Sequence, residues 1–280
     1  MRDDFIRERQ KPKPKMSTLV IELLAIIVLM VVIPMLSHQQ SKPEPLRVAA
    51  PAADQSPYSM RKFMNLNDSR YAFLENGAAY AVPESLLGES LGVLRLDIQA
   101  NPQENGQAEL ATTYALGGEV YALNTYDKSF RVAVALDGKY YLAEQVAHLD
   151  GTPLDLVNYF DQAKVHKYTE LAQILDHGKR EVLRELTKKQ TEQLLQALEQ
   201  STAAALTDEE YQAVGHAQTE GKSFYVQFVL ADETTFGGYV VPELGLVMFG
   251  DDRYILPENF GEACGELFAG LSQQPLPMMG

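Results

Sequence analysis

Residues 18–36 read TLVIELLAIIVLMVVIPML, nineteen positions with one ionisable side chain, Glu22, and an unbroken apolar run over 23–33. At ~1.5 Å per helical residue this is roughly 28 Å, about one bilayer hydrocarbon core. Arg2, Arg7, Arg9, Lys11, Lys13 and Lys15 precede it against Asp3, Asp4 and Glu8, while Lys42 and Arg47 follow. That bias predicts a cytoplasmic N-terminus and an extracytoplasmic remainder. The apolar stretch exceeds a signal-peptide core, and Met35-Leu36-Ser37 lacks a small-x-small cleavage site, so an uncleaved signal anchor is expected. Glu22 lies about one turn inside the cytoplasmic end and reads as a carboxylate snorkelling to the interface, a contact to a partner helix being the alternative.

Beyond the anchor the chain carries 18 basic and 34 acidic residues, net −16. Such a surface repels phosphate backbones and anionic lipid headgroups, which excludes nucleic acid as a partner class. The lone cysteine, Cys264, cannot close an intramolecular disulfide. A large exported part without staples suits a bacterial envelope, where core size supplies the stability. Cys264 has no histidine near it in sequence and reads as a small buried hydrophobe.

The expected organisation is a basic cytoplasmic tail (1–16), the membrane helix (17–36), a Pro/Ala/Ser-rich linker (37–58), a β-rich module (59–146), an α+β module (147–272) and a disordered tail (273–280). In the first module, strands over 70–74 and 78–82 flank Glu75-Asn76-Gly77 as a hairpin. Further strands are expected over 93–98, 110–116, 119–123, 130–136 and 139–144, the last two joined by Asp137-Gly138, the strongest hairpin signal in the chain. In the second, helices are predicted from Pro153, from Thr187 with Gln190 at capping-box spacing, from Thr207 with Glu210 likewise, and after Pro257. Strands are predicted over 171–175, where a helix over 168–175 is nearly as good a reading, and over 181–186, 224–230, 235–241 and 246–249, with 254–256 as a candidate for one more. The fold class is therefore α+β, mostly antiparallel, with several helices in the second half.

The run Gly118-Glu119-Val120-Tyr121-Ala122-Leu123-Asn124-Thr125-Tyr126-Asp127-Lys128-Ser129-Phe130-Arg131-Val132-Ala133-Val134, followed by Asp137-Gly138-Lys139-Tyr140-Tyr141, resembles a segment of uncharacterised membrane-anchored proteins of Gram-positive bacteria. Some of those look like extracytoplasmic sensor halves of anti-sigma or other signalling proteins. The resemblance covers about a tenth of the chain and implies an outer sensing domain, without an activity or functional residues. Within it, Phe130, Val132 and Val134 are expected to share one strand face. Sixteen cytoplasmic residues are too few for a folded sigma-binding domain, so signalling would run through a membrane partner.

No catalytic, cofactor-binding or metal-binding residue is assigned. His38, His148, His166, His177 and His216 are widely spaced, with neither HExxH nor CxxC. Nucleophile elbows, Walker loops and dinucleotide fingerprints are absent. Gly117-Gly118 and Gly237-Gly238 read as turn or bulge glycines in β segments. Asp208-Glu209-Glu210, Asp232-Glu233 and Asp251-Asp252 lack EF-hand spacing and read as helix-start or turn residues. Asn67-Asp68-Ser69 matches a glycosylation sequon at a frequency close to chance. Fourteen tyrosines without tryptophan hint at a glycan or peptide platform, though β propensity alone accounts for strand tyrosines. The expected function is non-enzymatic sensing or scaffolding through protein contacts. A cell-wall glycan- or peptide-binding module and an envelope enzyme with a site assembled from distant residues are the rivals.

Overall fold

The computed structural model describes residues 43–52, 61–104, 108–178, 181–271 and 273. Among these, strands β1 (Val48–Ala50), β2 (Phe63–Leu66), β3 (Ser69–Phe73), β4 (Ala79–Tyr80), β5 (Leu87–Val93), β6 (Leu96–Asp97), β7 (Ala111–Thr112), β8 (Glu119–Leu123), β9 (Arg131–Leu136) and β10 (Lys139–His148) form the first sheet. Its main path runs β5-β8-β9-β10-β3-β2-β7-β6, with β4 bridging β10 to β1. Helices α1 (Leu156–Gln162) and α2 (Val165–Tyr168) follow, then β11 (Thr169–Leu175), β12 (Val182–Leu186), α3 (Lys188–Glu199), β13 (Thr202–Ala203), α4 (Asp208–Thr219), β14 (Phe224–Leu230), β15 (Thr235–Val241), β16 (Leu246–Phe249), β17 (Asp252–Ile255) and α5 (Phe260–Phe268). The second sheet has the order β12-β11-β14-β15-β16-β17-β13. The fold is mixed α+β with its helices in the second half.

Local chemistry sets much of this. Asp137 and Gly138 take φ 52° and 71°, the left-handed pair that lets a two-residue hairpin follow strand twist. Arg131 consequently lies opposite Glu144 across β9 and β10. Both predicted capping boxes form: Thr187 caps α3 with Gln190, and Thr207 caps α4 with Glu210. The β14–β17 meander follows from short polar turns between apolar strands.

One apolar core draws on both halves of the chain, from Leu46, Phe130 and Leu142 through Phe160 and Val165 to Phe228, Phe236 and Phe249. A second core, on Val120, Val132, Val134 and Ala143, covers the opposite face of the first sheet. Phe130 therefore does not share a face with Val132 and Val134. It precedes β9 in the turn from Asp127, and its ring meets those of Tyr159 and Phe236 edge-on.

Three further expectations are corrected. Residues 43–52 are not a free linker: Leu46 is 2 % exposed, its N–H donates to Asp232 O, and β1 pairs with β4. Pro/Ala-rich chain has no period, but its extended backbone suits a short edge strand, and one leucine is enough to anchor it. Glu75-Asn76-Gly77 is not a hairpin. β3 and β4 both run antiparallel to β10, and residues 74–78 form an excursion between them. Nor is the C-terminal stretch loose at its start, because Gln273 Nε2 donates to Gly221 O (2.6 Å) and Ser223 O (2.7 Å), and its Oε1 accepts from His177 N–H (2.7 Å).

Gly237 and Gly238 are neither turn nor bulge residues. They sit inside β15, where a Cβ would lie 2.0 Å from Val226 O and 2.5 Å from Met248 O respectively. No helix among the described residues is long and apolar enough to cross a membrane. Residues 18–36, Glu22 and His38 lie outside the described residues.

Cys264 is 0 % exposed on α5, and burial pushes its thiol up to about 11. Alkylation by iodoacetamide at pH 8 is expected to run on the order of a hundredfold slower in the folded protein than in denaturant. Equal rates would contradict the buried placement; mass spectrometry of timed aliquots reads the difference.

Candidate functional site

A type I′-like turn at Asn67 and Asp68 (φ 50° and 57°) starts the site, its two N–H groups donating to the Glu109 carboxylate at 2.9 and 2.8 Å. The turn sets Ser69 at the start of β3, opposite His148 at the end of β10. A bulge lies between Gln145 and Ala147. One extra residue there reverses the strand alternation, so Gln145 and His148 reach the same side. Gln145 Nε2 donates to Ser69 Oγ at 2.9 Å, and Ser69 Oγ lies 3.3 Å from His148 Nδ1.

The opposite wall is α1. Asp155 is its N-cap, one carboxylate oxygen accepting from Val157 and Asn158 N–H at 3.0 and 3.1 Å. Asn158 and Gln162 follow at i+3 and i+7, so the three form one helical stripe. The Tyr159 hydroxyl donates towards Gln145 O and Glu144 Oε1, both at 3.1 Å, fastening α1 to β10. The end wall is the β8–β9 loop. Asp127 Oδ1 accepts from the Ser129 N–H (2.9 Å) and hydroxyl (2.6 Å), and Asp127 N–H donates to Gln162 O at 3.4 Å. Lys128 is drawn to Glu89 at 2.9 Å, and Tyr71 OH donates to Lys128 O.

These walls enclose a cleft of about 340 Å³. Its floor is Ser69, Tyr71, Gln145 and Tyr159, each at most 5 % exposed and engaged by the bonds above. Among the described residues, nothing pairs with the side-chain amides of Asn158 and Gln162. The pair Ser69–His148 has the residue types of a nucleophile and base, but Ser69 is 5 % exposed and its oxygen already accepts from Gln145. In this geometry it acts as a bridge between β3 and β10 behind the floor.

Both the hydroxyl and the N–H of Ser129 hold the Asp127 carboxyl below its ordinary value of 3.8. A lowered folded-state pKa adds stability above the unfolded value that disappears as pH falls through the folded one. Asp127→Asn is thus expected to lower stability at pH 7 by a few tenths to about 1 kcal/mol, and by less at pH 3. Urea midpoints at the two pH values check this; a gap that widens in acid contradicts it.

Beneath the cleft lies a buried charge network. The Arg131 guanidinium is fully buried, 2.5 Å from Glu144, and it donates to Thr234 Oγ1 and to Thr235 O. Burial alone would lower its pKa, but the charge of Glu144, with Tyr126 and Asp232 near, outweighs this and raises it. Asp232 in turn accepts from Thr234 N–H and Oγ1 at 3.0 and 2.6 Å. The network joins β9–β10 of the first sheet to the β14–β15 turn of the second.

The other singled-out residues do not line the cleft. His166 meets Glu199 (2.5 Å), and His177 meets Ser223 (3.0 Å). His216 occupies the last turn of α4, and Asp208-Glu209-Glu210 its first. Glu233 pairs with Arg47, Asp251 with Arg61, and Asp252 accepts from Leu154 N–H. The 118–141 segment supplies Asp127, Lys128 and Ser129 to the cleft and Arg131 to the network below. What the sequence reading missed is the α1 stripe, legible as Asp-x-x-Asn-x-x-x-Gln once the helix start is moved from Pro153 to Asp155. No protein-family model, curated protein or solved structure matches the chain.

Proposed function

We propose that the chain is a single-pass membrane protein with a cytoplasmic N-terminus, and that its outer domain works by binding protein partners, as a sensor or scaffold, without catalysing a reaction. The apolar run over 18–36, its flanking basic residues and the resemblance of the 118–141 segment support the topology. One observation carries the binding role: the α1 stripe presents hydrogen-bonding groups without internal partners along a cleft whose polar floor is already satisfied. A glycan platform is less well supported. Among the described tyrosines only Tyr211, 49 % exposed, belongs to the exposed large apolar side chains.

Crosslinking in intact cells, followed by purification of the full-length protein and mass spectrometry, is expected to return a reproducible membrane or extracytoplasmic partner. Recovery of none would overturn the binding role. Orientation is tested by Lys188→Cys, whose native side chain is 91 % exposed. A membrane-impermeant maleimide should label it in intact cells. Labelling only after permeabilisation would reverse the topology.

A further inference from the structure

We infer that the cleft between α1 and the β8–β9 loop holds an extended, basic segment of a partner protein, an inference that rests on the binding role proposed above. Two carboxylates bound it. Asp155 stands at the start of α1, and Asp127 is tied to its far end through Gln162 O. Seven residues of helix separate these ends by about 10 Å. Each carboxylate engages its own turn through one oxygen, Oδ1, and leaves the other for a ligand. Among the described residues lining the cleft the one lysine, Lys128, is paired with Glu89, and it and Lys164 act on Asp127 through their charge without an ion-pair contact.

Between the carboxylates stand the amides of Asn158 and Gln162. A primary amide offers a donor and an acceptor together, which matches the N–H and C=O of an extended peptide backbone. Such a backbone advances about 3.4 Å per residue and alternates its side chains between two faces, so basic side chains four positions apart share a face and, with their flexible stems, reach both carboxylates. The net −16 of the outer part adds a field that attracts cationic segments and repels acidic ones. A sugar is the weaker fit, because the two cleft tyrosines, Tyr71 and Tyr159, are 1 % and 4 % exposed and offer no ring face for stacking.

The test is fluorescence anisotropy with the full-length protein in detergent and a labelled glycine hexapeptide carrying two lysines four positions apart. Saturable binding below about 1 mM is expected, weakening with added salt. The double variant Asp127→Asn, Asp155→Asn keeps both turn acceptors, because asparagine caps as well as aspartate. It should bind about tenfold more weakly, the effect of losing two exposed ion pairs. Absence of saturation, equal affinity of the double variant or equal binding of a glutamate counterpart overturns the inference. Displacement of the peptide by chitotetraose also overturns it, in favour of a glycan site. A failed peptide titration beside a successful cellular crosslink would locate the partner elsewhere on the domain and leave the binding role standing.

Discussion

Arg131→Met lowers the stability of the folded unit by about 3–5 kcal/mol, the usual consequence of removing one partner of a buried ion pair. The loss comes from what stays behind. Among the described residues Glu144 keeps the Tyr159 hydroxyl alone, and Thr234 Oγ1 and Thr235 O lose the guanidinium. Removing both charges, as Arg131→Met with Glu144→Leu, should recover part of the loss, since Glu144 no longer stands without its counter-ion and the guanidinium's neighbours include the rings of Tyr126 and Phe130, whereas buried Asp232 still lacks the nearby cation. Denaturant midpoints of the two variants distinguish this from simple loss of packing. A double variant no better than the single would mean that the network's hydrogen bonds, rather than charge burial, hold the two sheets in register.

Leu46→Ala is expected to lower stability by about 2–5 kcal/mol, as for a fully buried leucine, although Leu46 lies in a stretch whose composition reads as a linker. Its neighbour Arg47 is a control. Its ion pair with Glu233 is 70 % and 46 % exposed at the two side chains, so Arg47→Ala should leave the denaturant midpoint close to that of the unsubstituted protein. The 43–52 strap and the buried network meet at one turn, since Leu46 N–H donates to Asp232 O and Thr234 Oγ1 accepts from Arg131. Leu46→Ala and Arg131→Met should therefore be non-additive by about 0.5–3 kcal/mol. Strict additivity would show that the strap is packed independently of the network.

Where structure is decided within a few residues, it was legible in the sequence. The Asp137-Gly138 turn, the two capping boxes and the β14, β15 and β16 strands all follow from local chemistry that tertiary contacts reinforce. The strap was not legible, because one leucine among Pro, Ala and Ser carries no period. Glu75-Asn76-Gly77 has hairpin composition, yet it serves an excursion within one strand line along β10, a choice made by pairing with β10 rather than by the turn. Arg131 reads as a surface charge in isolation. Counting outward from Asp137-Gly138, however, sets it opposite Glu144, so the ion pair was within reach of the sequence even though its burial was not. The cleft needed three dimensions: its walls come from residues near 68, 128, 145 and 158, and only the bulge in β10 turns Gln145 and His148 to one side.

The most direct measurement places a photo-crosslinking amino acid at Asn158, on the cleft stripe, and in a second strain at Lys188, on an exposed helix start apart from the cleft. After irradiation of intact cells, a discrete protein adduct at 158 that disappears in the Asp127→Asn, Asp155→Asn background, with none at 188, is the result expected of a membrane-tethered domain that binds its partner through this cleft. Adducts of equal strength at both positions, or at 188 alone, would contradict it.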